Sequence, residues 1–214
     1  MQLHNFFNSS TSYRTRIALA LKGLPFDYVA VNIRTGEHRD AGYVEGINPS
    51  ATVPALVDGE FRLGQSLAII DWLDARFPNP GLIPTDPDLR ARVLELSYLI
   101  SCDMHPVNNL RVLRYLETEL NVTAEQKSAW YKHWVAQGMA GVERLLAKYG
   151  SGPWCFGDAP TLADCCLVPQ MANAARMGCD LEHYPLSQAV YRHASEHAAF
   201  AAAQPSSQPD FVVP

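Results

Sequence analysis

The chain has 214 residues, enough for one large or two small domains, and its 48% hydrophobic and 18% charged residues suit a globular core. A net charge of −5 argues against nucleic acid and anionic membrane surfaces as partners. No apolar run approaches the ~20 residues that span a bilayer, and residues 1–10 lack the regions of a signal peptide.

The N-terminal part carries alternating strand and helix signals, in the order β-α-β followed by β-β-α. In chain order these are a strand at 1–6, a helix at Tyr13–Lys22 ended by Gly23, a strand at Phe26–Ile33, a hairpin of Val53–Val57 and Phe61–Leu63 across an Asp-Gly turn, and a helix at Leu67–Phe77. Residues 34–52 are polar and irregular, so no element is predicted there. Ser66 is expected to cap the last of these helices.

A proline-rich linker at Pro78–Asp88 separates this part from a region in which every signal is helical. The predicted helices are Leu89–Thr118 with a bend near Pro106, Thr123–Tyr149, Leu162–Met177 opened by a capping box at Thr161, and shorter helices at 186–193 and 195–203. The predicted fold is therefore α/β plus all-α, with an α/β domain at 1–80 and a helical domain at 87–214.

Five cysteines, none in a CxxC pair, suggest reduced thiols in a cytoplasmic protein. Residues 1–101 contain none. This distribution argues against a thiol-transfer oxidoreductase and means that any reactive sulfur in the first domain has to come from a ligand.

The polar turn after the first strand is a candidate anion or thiolate site. Ser9, Ser10 and Thr11 place three hydroxyls at the start of a helix, whose N-terminal dipole and amides favour negative charge and lower the pKa of a thiol. The alternative is that these residues only cap the helix.

Two further features favour a ligand site. The Val53-Pro54 step resembles the cis-proline of the thioredoxin fold, whose preceding peptide can pair with a peptide-like ligand. Gln65 and Ser66 place an amide and a hydroxyl at another helix N-terminus, which suits a carboxylate.

The stretch 9–19 resembles the signature SSC-x-(W/H)-R-V-R-I-A-L of zeta-class glutathione transferases. Further similarities lie at 48–49, 53–56, 65–70, 106–110 and 161–170, so the resemblance covers nearly the whole chain. It implies a thioredoxin-like domain, a helical glutathione-transferase domain, a homodimer, and glutathione as the cofactor. No metal site is predicted.

The resemblance also implies roles for individual residues. Those expected to bind glutathione are Ser9, Ser10, Thr11, His38, Val53, Gln65, Ser66, His105, Asn109 and Arg111. Those expected to act in catalysis are Ser10, Arg14, Arg111 and Arg176. Thr11 departs from the family, which usually has cysteine there, so Ser10 and the helix N-terminus are left to activate the thiol.

The best-known members of that class isomerise maleylacetoacetate or maleylpyruvate, so the expected substrate is a small dicarboxylate keto acid. Arg111 stands where relatives often have serine, and an extra arginine favours maleylpyruvate, whose additional carboxylate lies next to a ketone. The alternatives are a maleylacetoacetate isomerase, a glutathione transferase or dehalogenase acting on α-haloacids, and a non-catalytic protein on the same fold. Arg176 has a simpler alternative role as a charge at a helix C-terminus.

Overall fold

The computed structural model describes residues 1–212. They form two compact units: residues 1–83 together with the segment from 195 onward, and residues 84–194. The predicted helical domain, 87–214, differs from the second unit at its C-terminal end, because the last helix packs in the first unit.

The first unit contains a four-stranded mixed sheet with helices. Its elements are β1 (Gln2–Asn5), α1 (Ser10–Leu21), β2 (Asp27–Ala30), α2 (Ala41–Gly46), β3 (Ala55–Asp58), β4 (Phe61–Gly64), α3 (Ser66–Arg76) and α10 (Ala198–Ala203). The strand order is β2-β1-β3-β4, with β1 parallel to β2 and the other two pairings antiparallel. The parallel pair is the predicted crossover unit, and the hairpin turns at Gly59 and Glu60, directly after Asp58, where a turn was predicted.

The prediction that residues 34–52 lack an element is wrong. This stretch contains a short 3-10 turn at Glu37–Arg39 and the six-residue helix α2. Six residues span less than two turns, too short for helical periodicity to be recognised. Ser66 is also not the cap of α3: it is the first helical residue, and Gln65 occupies the N-cap position.

The core of the first unit joins the sheet to α1 and α3 through Leu3, Leu19, Leu56, Ile69 and Leu73. Two arginines of α1, Arg14 and Arg16, are only 2% and 1% exposed, so both guanidinium groups are buried in the first unit. Arg16 donates to the carbonyls of Phe6, Phe7 and Ala203 and to Asn5 Oδ1, at 2.9–3.3 Å. Burial lowers the pKa of Arg16 to about 10, which leaves it charged at neutral pH.

The second unit is helical. Its elements are α4 (Pro87–Tyr98), a π-helical segment (Leu99–Met104), α5 (His105–Val107), α6 (Leu110–Thr118), α7 (Ala124–Tyr149), α8 (Leu162–Arg176) and α9 (Pro185–Ser195), which ends at the unit's boundary. No helix within residues 1–212 is both long and apolar enough to cross a membrane.

The prediction of one helix over 89–118 is wrong, because the helical run through α4, the π-helical segment and α5 ends at Val107 and α6 starts at Leu110. The π-helical segment directly precedes His105 and Pro106, and proline cannot donate the backbone hydrogen bond of a regular helix. Asn109 then caps α6 by accepting from the Arg111 amide at 3.1 Å. Asparagine side chains that bond to the local backbone favour such a break.

The capping box at the start of α8 forms as predicted. The fully buried Asp164 carboxylate accepts the amides of Thr161 and Cys155 at 2.8 Å and the Thr161 hydroxyl at 3.0 Å. Burial raises the pKa of Asp164. Cys165 and Cys166 are fully buried core residues, as the sequence indicated.

Candidate functional site

The N-terminus of α1 gathers the hydroxyls that the sequence singled out. Ser9 is the N-cap, and its Oγ accepts the Ser12 amide at 3.2 Å. Its Oγ also lies 2.8 Å from Thr11 Oγ1, which in turn donates to the Val53 carbonyl at 3.0 Å. Ser10, the first helical residue, is 6% exposed and lies at the positive end of the helix dipole.

These contacts fix the direction of each hydrogen bond. Because the Thr11 hydroxyl gives its proton to the Val53 carbonyl, the proton between Ser9 and Thr11 belongs to Ser9. From donor to acceptor, the Ser12 amide therefore donates to Ser9 Oγ, the Ser9 hydroxyl donates to Thr11 Oγ1, and the Thr11 hydroxyl donates to the Val53 carbonyl. The chain of bonds ties the start of α1 to the residue before Pro54.

The Val53–Pro54 peptide is cis, as the thioredoxin-fold resemblance implies, and Val53 is partly exposed. The loop before it is anchored at the Thr52 carbonyl, which accepts from Tyr43 Oη at 2.7 Å and from Asn48 Nδ2 at 2.8 Å. Burial raises the pKa of Tyr43 to about 12, so its phenol stays protonated and able to donate at neutral pH. The backbone that a peptide-like ligand would contact is therefore fixed at two carbonyls: that of Thr52 by Tyr43 and Asn48, and that of Val53 by Thr11.

The N-terminus of α3 presents the second polar pair. Gln65 is exposed and adopts φ 65° and ψ 110°, a backbone conformation that costs a non-glycine residue about 1–3 kcal/mol. Such strain is typical of ligand sites. Ser66 is 5% exposed, and its Oγ accepts a bond from Arg14 Nη1 at 3.4 Å.

The Arg14 contact changes the interpretation of that residue. A guanidinium that is 2% exposed and bonded to Ser66 is placed to orient Ser66 and to add positive charge behind the α3 N-terminus. Its predicted catalytic role stays a prediction. His38, predicted to bind glutathione, is buried in the 3-10 turn at Glu37–Arg39, and its role also stays a prediction.

The remaining predicted residues lie in the second unit. His105 and Asn109 are neighbours, with Asn109 Nδ2 at 3.4 Å from His105 Nε2. Arg111 is exposed on the first turn of α6, and Asn109 Oδ1 accepts its amide. The structure thus brings three of the predicted residues to one helix start.

Arg176 is exposed at the end of α8, where its Nη2 donates to Asn173 Oδ1 at 3.3 Å. Its charge acts to lower the pKa of Tyr131, although burial dominates and raises that pKa to about 12. The phenol of Tyr131 therefore stays protonated at neutral pH, and Arg176 keeps an exposed guanidinium at the end of α8.

Comparison with known proteins places this geometry in a family. The model for the glutathione S-transferase N-terminal domain matches residues 8–76. A maleylpyruvate isomerase of a Ralstonia species is 45% identical over 211 residues, which cover 98% of this chain and 99% of that protein. A holo structure of maleylpyruvate isomerase, described as a bacterial zeta-class glutathione S-transferase, matches with a TM-score of 0.96 and 45% identity, covering 99% of this chain and 100% of that one.

The chain belongs to the zeta-class glutathione transferases. A maleylacetoacetate isomerase from Anaeromyxobacter dehalogenans, solved with glutathione in its active site, is also similar, with a TM-score of 0.88 and 39% identity over 99% of this chain and 97% of that one. The family resemblance read from the motifs and the predicted fold of a thioredoxin-like domain with a helical region are thereby confirmed.

Proposed function

We propose that this zeta-class transferase is a glutathione-dependent cis–trans isomerase that converts maleylpyruvate to fumarylpyruvate. The observation that carries the proposal is its 45% identity, over almost the full length of both chains, to a maleylpyruvate isomerase. We further propose that it works in the cytoplasm as a homodimer, which light scattering coupled to size-exclusion chromatography would test.

The residues of the first unit fit glutathione. The tripeptide has a thiol, a peptide backbone and a γ-glutamyl carboxylate; we assign these to Ser10, Val53 and the pair Gln65–Ser66, respectively. Each assigned residue lies at a helix N-terminus or beside the cis-proline, where amides and dipoles favour such groups. Because residues 1–101 lack cysteine, the ligand's sulfur is the one available for chemistry here.

Glutathione, when bound, supplies a thiolate that adds reversibly to the maleyl double bond and leaves again after rotation about that bond, so none is consumed. The protein's part is electrostatic. Ser10 and the α1 dipole stabilise the thiolate. Charge that builds up on the substrate's ketone oxygen needs a fixed cation or donor, and we assign this role to the exposed guanidinium of Arg176.

The other assignments are also part of the proposal. We assign glutathione binding in the first unit also to Ser9, Thr11 and His38, and propose that His105, Asn109 and Arg111 of the second unit bind glutathione as well. Arg111 also binds a substrate carboxylate, because a guanidinium makes paired hydrogen bonds to carboxylates. Arg14 acts through Ser66, since its side chain is buried behind that hydroxyl.

The direct test is to supply maleylpyruvate, then maleylacetoacetate, with glutathione and to follow the enol absorbance of substrate and product. We expect fumarylpyruvate to form only when glutathione is present, with the free thiol unchanged at the end and S-methylglutathione acting as an inhibitor. Faster turnover of maleylacetoacetate would favour the second candidate, whose support is the similarity to the Anaeromyxobacter enzyme. Stoichiometric loss of glutathione with an α-haloacid, and no isomerisation of either keto acid, would instead identify a dehalogenating transferase.

A further inference from the structure

The backbone directly before the hydroxyl-bearing turn is held at all four of its polar groups. In Phe6, the amide donates to Ser12 Oγ at 3.4 Å and the carbonyl accepts from the Ser9 amide at 3.1 Å and from Arg16 at 3.3 Å. In Phe7, the carbonyl accepts from Arg16 at 2.9 Å. Only Asn8 separates this anchored pair from Ser9.

The fourth group, the Phe7 amide, has a partner from the far end of the chain. It donates to Asp210 Oδ2 at 3.1 Å, across a separation of 203 residues. The other carboxylate oxygen, Oδ1, accepts from the phenol of Tyr28 on β2. The ring of Phe211 packs edge-on against that of Phe7, with centroids 5.6 Å apart.

The negative charge of Asp210 also stabilises a neighbouring positive charge. Asp210 lies close enough to the buried Arg16 to favour the charged form of that guanidinium. The two groups hold opposite sides of the Phe6–Phe7 peptide, because Arg16 donates to the Phe6 carbonyl and Asp210 accepts from the Phe7 amide. Arg16 also donates to the Phe7 carbonyl. An anchored entry to α1 fixes the position of the helix N-terminus relative to β1.

We propose that Asp210 is a positioning residue for the glutathione-activating turn, holding Ser9–Thr11 in place through the Phe7 amide. The inference rests on the proposed function, since it gives Asp210 a part in ionising and binding glutathione without touching it. Residues 204–212, the C-terminal segment, thereby support the turn through Phe7, which Asp210 and Phe211 contact.

The test compares three variants of the full chain. Asp210→Ala removes both acceptors, Asp210→Asn keeps one amide oxygen for Phe7, and Gln208→Ala is the matched control. Gln208 lies in the same segment, but its side chain donates to the carbonyls of Ala202 and Gln204, both at 2.9 Å, and not to the turn. Glutathione binding is measured by calorimetry, and the ionised fraction of the bound thiol by its ultraviolet absorbance across pH.

Asp210→Ala is expected to raise the Kd for glutathione by about tenfold, the size of a lost hydrogen bond to a charged group. It should also shift ionisation of the bound thiol to higher pH, whereas Asp210→Asn recovers part of both effects and Gln208→Ala changes neither. Wild-type binding and ionisation in folded Asp210→Ala would overturn the proposal, and so would an equal loss in Gln208→Ala.

Amide hydrogen exchange separates this inference from the proposed function, because it needs no ligand. In the ligand-free protein, residues 7–12 should exchange faster in Asp210→Ala than in the wild type, while the α7 amides keep their rates. If the wild type failed to bind glutathione, the proposed function would fall, yet exchange would still decide whether Asp210 holds the turn. Unchanged exchange at 7–12 would refute that role.

Discussion

Replacing Thr11 by valine tests the link between the α1 N-terminus and the cis-proline peptide. Valine has nearly the same shape, but it cannot donate to the Val53 carbonyl at 3.0 Å or accept from Ser9 at 2.8 Å. Each neutral hydrogen bond contributes about 1 kcal/mol net, and water can replace part of it because both sites are half-buried. The free energy of unfolding should therefore fall by about 1–2 kcal/mol.

The effect on glutathione follows from the freed carbonyl. Binding has to reorder a Val53 peptide that the wild type already holds, at a cost of about 1 kcal/mol, or about fivefold in Kd. Calorimetric titration with glutathione measures this, and Thr11→Ser, which retains the hydroxyl, should remain close to the wild type. A wild-type Kd in Thr11→Val would refute the idea that Thr11 positions the peptide.

Three further substitutions probe other contacts. Lys22→Met should lower the free energy of unfolding by about 3 kcal/mol in urea titrations, since it leaves Asp74 without the fully buried ammonium at 2.7 Å; the exposed ion-pair control Lys127→Met should change it by less than about 1 kcal/mol. Asp164→Ala should lower it by about 3 kcal/mol, because three buried donors lose their acceptor; a loss below about 1 kcal/mol would contradict this. Ser10→Ala should move ionisation of bound glutathione to higher pH, seen in its thiolate absorbance, with little change in thermal stability.

The sequence predicted those parts of the fold whose signals are local. The strand, hydroxyl run and helix at 1–22 follow from alternation and from cap residues, and so does the capping box at Thr161. The break before α6 was missed, because the Asn109 cap interrupts a pattern that is otherwise helical.

The missed parts of the candidate site depend on partners far away in the chain. The burial of Arg14 and Arg16 depends in part on distant acceptors, since Ser66 lies 52 positions from Arg14 and Ala203 lies 187 positions from Arg16. The Thr11–Val53 bond likewise joins residues 42 positions apart. Hydroxyls at a helix start predict a cap, but their spacing does not predict which distant carbonyl accepts a hydrogen bond from them.

The return of the chain to its first unit has a consequence for synthesis on the ribosome. The buried Arg16 donates to acceptors that include the Ala203 carbonyl, and the Phe7 amide donates to Asp210. A nascent chain that has reached only residue 83 lacks both acceptors. Burying a charge or an amide without its acceptor would lower the stability of the folded unit. The ribosome therefore makes most of the first unit early, but that unit can complete its hydrogen bonds only after residue 210 has left the exit tunnel.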